Sequence, residues 1–336
     1  MTPLAALAAL LVATAVSADT VSLREVRQNL FGACFASERD GWMVGELGRI
    51  FHTSDGGRTW ERQDARTKRP FLAVSCVDAR TAWIAGKEGI VYGTRDAGAT
   101  WTQSPTGSTR HIFTLQFSTP ERGHGAGDFG AMVHTEDGGR SWIVQQVPSA
   151  VQLPANAIDI GVDPGDVNLY ALSYGDPDHV WLAGEFGIVM ASVDGGRTWQ
   201  QQPSAVDTTL FGMHFVDARH GWAVGSDSVI VRTEDGGATW VTQHSPTRDR
   251  PLYDVFIAGR TGWIVGEAGT VLKTTDGGNN WGAEPLPIQL AARWIRSVWL
   301  TPGGRGLAVG AEGLVFRLEG ANLERLARRP RLERRA

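Results

Sequence analysis

Residues 221–240 read Gly-Trp-Ala-Val-Gly-Ser-Asp-Ser-Val-Ile-Val-Arg-Thr-Glu-Asp-Gly-Gly-Ala-Thr-Trp. The end of this stretch is a box, Ser/Thr-x-Asp-Gly-Gly-x-Ser/Thr-Trp, that occurs six times with small variations. Its closing tryptophans are Trp60, Trp101, Trp142, Trp199, Trp240 and Trp281, which are 41, 41, 57, 41 and 41 residues apart. A fixed period of this length indicates repeated supersecondary units.

A second signature, Gly-x-x-Gly, precedes each box. It starts at Gly45, Gly86, Gly127, Gly184, Gly225, Gly266 and Gly310, with Ser228 replacing one closing glycine. The seventh unit has a decayed box around Gly320. Each unit has four segments of alternating apolar residues, which predict antiparallel strands. The sequence therefore predicts an all-β fold, a seven-bladed β-propeller of four-stranded antiparallel blades with Asp-box turns, as one domain over residues 19–327.

The box has a structural rationale. An Asp side chain in a turn accepts backbone N–H bonds, and glycine tolerates a positive φ. We therefore predict a structural and non-catalytic role for Asp55, Asp96, Asp137, Asp194, Asp235 and Asp276. Five further tryptophans share one position of the second strand and are expected to fill the gaps between blades: Trp42, Trp83, Trp181, Trp222 and Trp263.

Composition excludes several classes. A chain of 336 residues with 42% hydrophobic residues can bury a core, and a net charge of −4 gives no sign of nucleic-acid binding. Residues 1–18 read as a signal peptide with a small-residue cleavage pattern at Ala18. The signal peptide predicts an exported, periplasmic protein. Because no later apolar run is long enough to span a membrane, we expect no integral membrane segment after cleavage. Residues 328–336 are expected to form a disordered basic tail.

Residues 41–60 and 221–240 resemble the photosystem II stability/assembly factor family of Asp-box (BNR) propellers. The resemblance covers roughly residues 28–320. It implies a seven-bladed propeller that assists early assembly of photosystem II in the thylakoid lumen. Related chains occur in bacteria without that photosystem, and the repeat is shared with sialidases. The resemblance leaves open whether the host is photosynthetic and which partner the protein binds.

One face of the propeller is expected to carry both the Gly-x-x-Gly turns and the linkers into the first strands. The turns hold one acid per blade: Glu46, Glu88, Asp128, Glu185, Asp227, Glu267 and Glu312. Four linkers carry an arginine at one aligned position, Arg69, Arg110, Arg250 and Arg293, expected near the mouth of the channel and inside the acids. Two interpretations stay open: solvated tips with ordinary ion pairs, or a partner-binding patch, since the guanidinium fork suits carboxylates and phosphates.

The 57-residue interval places an insertion at about residues 147–166 on the same face. It is either a partner-contact loop or a disordered excursion.

Cys34 and Cys76 lie on the first strands of adjacent blades, and the sequence leaves open whether they are bonded. Two segments compete for the outer strand of the last blade: the chain from Leu323 onward, or residues 21–27.

Catalytic chemistry has little support. A sialidase needs a tyrosine nucleophile with a carboxylate and an arginine cluster, whereas Tyr92, Tyr170, Tyr174 and Tyr253 have no such signature and are assigned to core packing. His124 and His220 are interpreted as turn residues at equivalent positions. The histidines and cysteines show no metal-site spacing, and no cofactor fingerprint is present.

These observations predict a cofactor-free, monomeric scaffold, an assembly or stability factor for a membrane or envelope protein complex. The alternatives are an Asp-box glycoside hydrolase of the sialidase type and a propeller that binds a glycan or small ligand at the channel mouth.

Overall fold

The computed structural model describes residues 20–148 and 150–326. Within those ranges each repeat folds into one antiparallel sheet whose strands pair in chain order, and there are seven such sheets. The predicted seven-bladed propeller is confirmed. The predicted signal peptide (1–18) and the basic tail (328–336) lie outside the described residues. None of the described helices is long and apolar enough to cross a membrane.

The strands are short and separated by tight turns, as the repeat predicts. Blades 1 to 3 comprise β1 (Thr20–Val21), β2 (Leu30–Phe35), β3 (Gly41–Gly45), β4 (Ile50–Thr53), β5 (Trp60–Gln63), β6 (Phe71–Cys76), β7 (Ala82–Gly86), β8 (Val91–Thr94), β9 (Thr102–Gln103), β10 (Ile112–Phe117), β11 (Gly123–Gly127), β12 (Met132–Thr135) and β13 (Ile143–Gln145).

A short helix, α1 (Ala155–Ile158), precedes blade 4. Blades 4 to 7 comprise β14 (Leu169–Tyr174), β15 (Val180–Gly184), β16 (Val189–Ser192), β17 (Gln200–Gln202), β18 (Leu210–Phe215), β19 (Gly221–Gly225), β20 (Ile230–Thr233), β21 (Val241–Thr242), β22 (Leu252–Ala258), β23 (Thr261–Gly266), β24 (Val271–Thr274), β25 (Gly282–Ala283), β26 (Ile295–Leu300), β27 (Arg305–Gly310), β28 (Val315–Glu319) and β29 (Asn322–Arg325). The inner strands β2, β6, β10, β14, β18, β22 and β26 line an axial channel.

The Asp box closes the turn between the third and fourth strands, as predicted. In blade 1, Asp55 Oδ1 accepts the backbone N–H of Thr59 at 2.9 Å, and Asp55 Oδ2 accepts its hydroxyl at 2.7 Å. The Thr53 hydroxyl donates to Asp55 and accepts the N–H of Gly57 at 2.8 Å. In blade 3 the hydroxyl and the backbone N–H of Ser141 hold the pKa of Asp137 at about 2. The carboxylate is therefore occupied inside its own turn.

The second-strand tryptophans pack between blades, also as predicted. Trp181 of blade 4 is 1% exposed, and its indole N–H donates to the carbonyl of Gly236 in the Asp box of blade 5 at 2.9 Å. Trp222 repeats this bond to Gly278 of blade 6 at 3.0 Å. Trp181 and Trp222 thus bury their rings and satisfy their N–H donors on the neighbouring blade.

His124 is not a turn residue, so that prediction was wrong. It is the second residue of β11, where five other blades have tryptophan, and it is only 3% exposed. Its Nδ1 bonds the Tyr174 hydroxyl of blade 4, and its ring stacks on His134 with centroids 5.3 Å apart. His220 precedes β19 on the surface and pairs with Asp217, so the two histidines are not equivalent.

In the part of the chain that the structure describes, the ring closes without exchanging a strand between its ends. β29 pairs with β28 as the outer strand of blade 7, which confirms one of the two alternatives. Residues 21–27 do not supply that strand. Instead β1 pairs with β5 and adds a fifth strand to blade 1. The seam is apolar packing of Leu30 and Met43 against Leu307, with a hydrogen bond of 2.9 Å from Gly313 N to Gln28 O.

Cys34 on β2 and Cys76 on β6 form a disulfide with their Cα atoms 5.8 Å apart. The bond resolves the question that the sequence left open, and it links blades 1 and 2.

The described residues of the insertion, 147–148 and 150–166, pack onto the propeller between blades 3 and 4. Val151 and Ala157 are buried, and Val151 belongs to the core of this interface. Gln152 exchanges two backbone–side-chain hydrogen bonds, at 2.7 and 2.8 Å, with Gln201 of β17. An excursion away from the blades is therefore not what the structure describes, and contact of this segment with a partner stays a prediction.

Candidate functional site

Every inner strand carries a β-bulge at its second residue. The pairing with the second strand of the blade shifts there, for example between Leu30 and Gly32 in blade 1. A bulge re-aims the side chain of the extra residue, here toward the channel mouth. The seven bulge residues form what we call the mouth collar: Phe31, Leu72, Phe113, Tyr170, Phe211, Tyr253 and Arg296. They line a cavity of about 410 Å³.

The rings of the collar pack on one another around half of the wheel. Phe113 stacks on Tyr170 with centroids 5.3 Å apart. Tyr170 in turn contacts Phe211 at 5.3 Å, and Phe211 contacts Tyr253 edge-on at 5.7 Å. Such contacts hold aromatic rings in defined orientations and leave a preformed apolar wall.

Arg296 is the only charged member of the collar. Its guanidinium lies over the Tyr253 ring, 5.4 Å from the centroid, and Nη1 donates to the Tyr253 carbonyl at 3.1 Å. Burial lowers the pKa of Arg296, while the nearby Asp254 acts in the opposite direction. Burial raises the pKa of Asp254 to about 6, although its carboxylate accepts the N–H groups of Val255 and Val298, each at 2.9 Å.

Two tyrosines of the collar bind carboxylates, so their assignment to core packing was wrong. The Tyr253 hydroxyl donates to Glu267 at 2.6 Å, and the Tyr170 hydroxyl to Glu185 at 3.4 Å. Burial, reinforced by the charge of Glu185, raises the pKa of Tyr170 to about 12. Tyr174, by contrast, is 9% exposed and is a core residue as expected.

The face that carries the collar also carries the Gly-x-x-Gly turns, and we call it the mouth face. Turn and linker are hydrogen-bonded there: Gly130 N donates to Val167 O at 2.7 Å, and Gly269 N to Arg293 O at 2.6 Å. The predicted placement of turns and linkers on one side is confirmed.

The seven turn acids occupy two different positions rather than one ring. Four stand first in the turn, namely Glu46, Asp128, Glu185 and Glu267, and three stand second, namely Glu88, Asp227 and Glu312. Those in the first position contact groups next to or on the inner strands. Glu46, for instance, accepts from the Asn29 side chain at 2.8 Å and from its backbone N–H at 3.1 Å.

The four aligned arginines do not line the cavity; the residues that follow Arg110 and Arg293, His111 and Trp294, do. Arg69 forms an ion pair with Glu88 at 2.8 Å, and Arg293 one with Glu312 at 2.6 Å. The other two reach a carbonyl in the turn of their own blade: Arg110 donates to Phe129 at 3.0 Å and Arg250 to Ala268 at 3.2 Å. A partner-binding role for these arginines and acids stays a prediction.

Sequence reasoning missed the mouth collar because it assumed strict period-two alternation along the inner strand. The bulge breaks that period after one residue. Aligning the second residue of all seven inner strands reveals six large apolar or aromatic side chains and one arginine, which is the signal that was available.

Large apolar side chains are exposed on the mouth face outside the collar. Leu47 and Phe129, at the tips of two turns, are 54% and 53% exposed. Ile158 and Ile160 of the insertion are 61% and 72% exposed, and Ile288 in the linker before blade 7 is 84% exposed. Apolar groups gathered on one face mark a surface suited to contact with another molecule. In residues 20–148 and 150–326 no group of three or more His, Cys, Asp or Glu side chains is placed to hold a metal ion.

Solved structures show the same architecture. A structure described as YCF48 bound to D1 peptide has a TM-score of 0.69 and 19% identity, covering 90% of this chain and 97% of that one. YCF48 from Cyanidioschyzon merolae has a TM-score of 0.70 and 21% identity, covering 88% and 96%. The WD40 propeller domain of Doa1 is equally similar in shape, with a TM-score of 0.69 at 13% identity. At these identities the likeness establishes the fold alone.

Comparison at the level of sequence assigns the chain to one family of propellers. No curated protein sequence matches the chain. The family model described as photosynthesis system II assembly factor YCF48, in contrast, matches residues 12–109 and 202–297, which is more than half of the chain. This protein therefore belongs to the YCF48 family of photosystem II assembly factors, as the Asp-box resemblance implied.

Proposed function

We propose that the protein is an exported, non-catalytic assembly or stability factor that binds a component of a membrane protein complex through its mouth face. The family assignment supports the role, and a YCF48 structure holding a D1 peptide supports a membrane protein as the partner. The observation that carries the proposal is the set of exposed apolar side chains on this face, at the turns, the insertion and the last linker. The chain acts as a monomer with one docking face.

The test is co-purification with solubilised membranes of the host. A variant with Phe129→Ser, Ile160→Ser and Ile288→Ser removes three exposed apolar side chains, and we expect it to lose a membrane protein that the unmodified chain retains. The matched control is Val193→Ser, because Val193 is 71% exposed within an Asp box on the other face. Equal recovery of every membrane protein by both variants would contradict docking through the mouth face.

Export belongs to the same proposal. The run at residues 4–16 and the small residues up to Ala18 support it. We expect the mature protein from the periplasm, or from a lumen-like compartment of a photosynthetic host, to begin at Asp19. N-terminal sequencing of the fractionated protein measures this directly, and recovery of the unprocessed chain from the cytoplasm would contradict it.

One observation favours a glycosidase as the second candidate. Tyr253 and Glu267, 2.6 Å apart, form a pair of the kind used where tyrosine is the nucleophile. The collar beside them offers few polar groups to the hydroxyls of a sugar, which is why we prefer the binding role. Release of fluorophore from a fluorogenic sialoside, abolished by Tyr253→Phe, would overturn the non-catalytic proposal.

A further inference from the structure

The mouth collar has the properties of a ligand pocket. Its cavity of about 410 Å³ falls within the range typical of small-molecule sites, about 300–1,000 Å³. Its wall is apolar and held by ring contacts between neighbouring blades. A preformed concave surface of this kind can receive an apolar group at little entropic cost.

The permanently charged groups that line the cavity are cationic: Arg296 lies in the wall, and Lys87 stands at the edge beside the imidazole of His111. In the described part of the chain no acidic side chain lines the cavity. Three acids next to the cavity are engaged by other groups: Glu185 and Glu267 accept from the tyrosine hydroxyls of the collar, and Asp128 lies 3.6 Å from His111.

Arg296 has capacity for an anion. A guanidinium carries five N–H donors, and the hydrogen bond found for this one goes to the Tyr253 carbonyl. Among the residues described, no carboxylate oxygen lies within 4.0 Å of it. Asp254, the acid beside it in the channel, is bonded to two backbone N–H groups.

We propose that the mouth collar binds an organic carboxylate with an apolar, preferably aromatic, body. The carboxylate pairs with the Arg296 guanidinium, and the body packs on the rings of Phe113, Phe211 and Tyr253. A single guanidinium matches one planar carboxylate through two parallel N–H bonds, whereas a dianionic phosphate would require more donors than this wall provides. The site is independent of the exposed residues on which the proposed function rests.

Two sources present this chemistry: a free small acid, and the last residue of a polypeptide with an apolar side chain. We would measure binding by isothermal titration calorimetry with three probes: 3-phenylpropionate, N-acetyl-L-phenylalanine and N-acetyl-L-phenylalaninamide. Both acids are expected to bind, and the amide about tenfold or more weakly, since it lacks the charge. Tighter binding of 3-phenylpropionate points to a free acid, and tighter binding of N-acetyl-L-phenylalanine to a chain end.

Two variants test separately how the charge of Arg296 and the apolar wall of the cavity contribute to binding. Arg296→Met should weaken both acids by about tenfold or more, while the matched Arg69→Met, outside the cavity, should leave them unchanged. Leu72→Trp keeps Arg296 but fills the cavity, so it should abolish binding even if Arg296→Met fails to fold. The proposal is overturned if the amide binds as tightly as the acids, if a folded Arg296→Met binds them as well as the unmodified chain does, or if neither acid binds.

Discussion

The Asp box of blade 2 has an alanine where the other five boxes have the first glycine. Ala97 has a φ of 60°, in the left-handed region that costs an L-residue about 1–2 kcal/mol. Ala97→Gly removes this strain, partly offset by the greater freedom of glycine in the unfolded chain. We expect the free energy of unfolding in urea to rise by about 0.5–1 kcal/mol.

The reciprocal change is the control. Gly56 is the equivalent residue of blade 1, with a φ of 75°, and a Cβ there would lie 2.9 Å from the Glu38 carbonyl oxygen. Gly56→Ala should therefore lower the stability. A less stable Ala97→Gly protein would show that the backbone strain at this position is not relieved by glycine.

His124 should make the protein sensitive to acid. Burial lowers its pKa to about 3, with the nearby His134 acting in the same direction. The unfolded chain takes up a proton below the ordinary histidine pKa of about 6.5, whereas the folded protein does so only near 3. The contribution of His124 to the free energy of unfolding is therefore fully present above pH 6.5. It falls as the pH drops toward 3, by up to about 1.4 kcal/mol per pH unit.

His124→Phe should make that decline shallower between pH 6.5 and 3. The comparison uses the slope of unfolding free energy against pH, because the variant also loses the bond to Tyr174. His244→Asn, which replaces an exposed histidine, is the matched control. An unchanged slope in His124→Phe would mean that the buried ring does not stay neutral in acid.

At the scale of elements, the disulfide ties two inner strands of neighbouring blades. Cys34 and Cys76 are 42 residues apart, and closing a loop of this length stabilises a fold by about 3–4 kcal/mol in the chain-entropy model. We expect dithiothreitol to lower the urea midpoint of the unmodified protein. The Cys34→Ser, Cys76→Ser protein should start from that lower midpoint and not respond to dithiothreitol, and a midpoint equal to that of the oxidised protein would contradict the prediction.

The elements themselves were predictable because their determinants are local. A box such as Thr53 to Trp60 makes its bonds within a single turn, so its spacing alone locates the third and fourth strands of a blade. His124 was misassigned because it replaces the tryptophan that marks the second strand. Tyr253 was misassigned because it is the bulge residue of β22, and a departure from alternation is not evident from the sequence of one strand alone.

Contacts between distant segments were less predictable. The sequence placed the two cysteines on the first strands of adjacent blades, but the distance between them depends on how those blades pack. The outer strand of blade 7 had two candidate segments with similar patterns, and the choice depends on which edge each one reaches. The lining of the mouth collar depends on both the bulges and the closure of the ring, which is why the sequence indicated the face that carries the collar but not the residues that form it.

For the whole molecule, the seam between blades 1 and 7 makes stability depend on completing the ring. A chain that ends at residue 284 lacks blade 7 and would expose Leu30 and Met43, which pack against Leu307. We expect this chain to lose the single cooperative unfolding transition and to aggregate, because unburied blade faces are apolar. A chain that ends at residue 326 keeps β29 and should unfold like the full protein. Cooperative unfolding of the shorter chain, measured by circular dichroism in urea, would contradict this.

Within residues 20–148 and 150–326 no blade takes a strand from the other terminus, so almost every pairing described joins neighbours along the polypeptide. Such a topology lets sheets assemble one after another in the order in which they are synthesised or emerge from a translocation pore. Only the last step, the meeting of the two ends, has to wait for the C-terminus. Until then one apolar face of the first blade stays exposed to water. A chaperone would therefore be needed most in the interval before the ring closes.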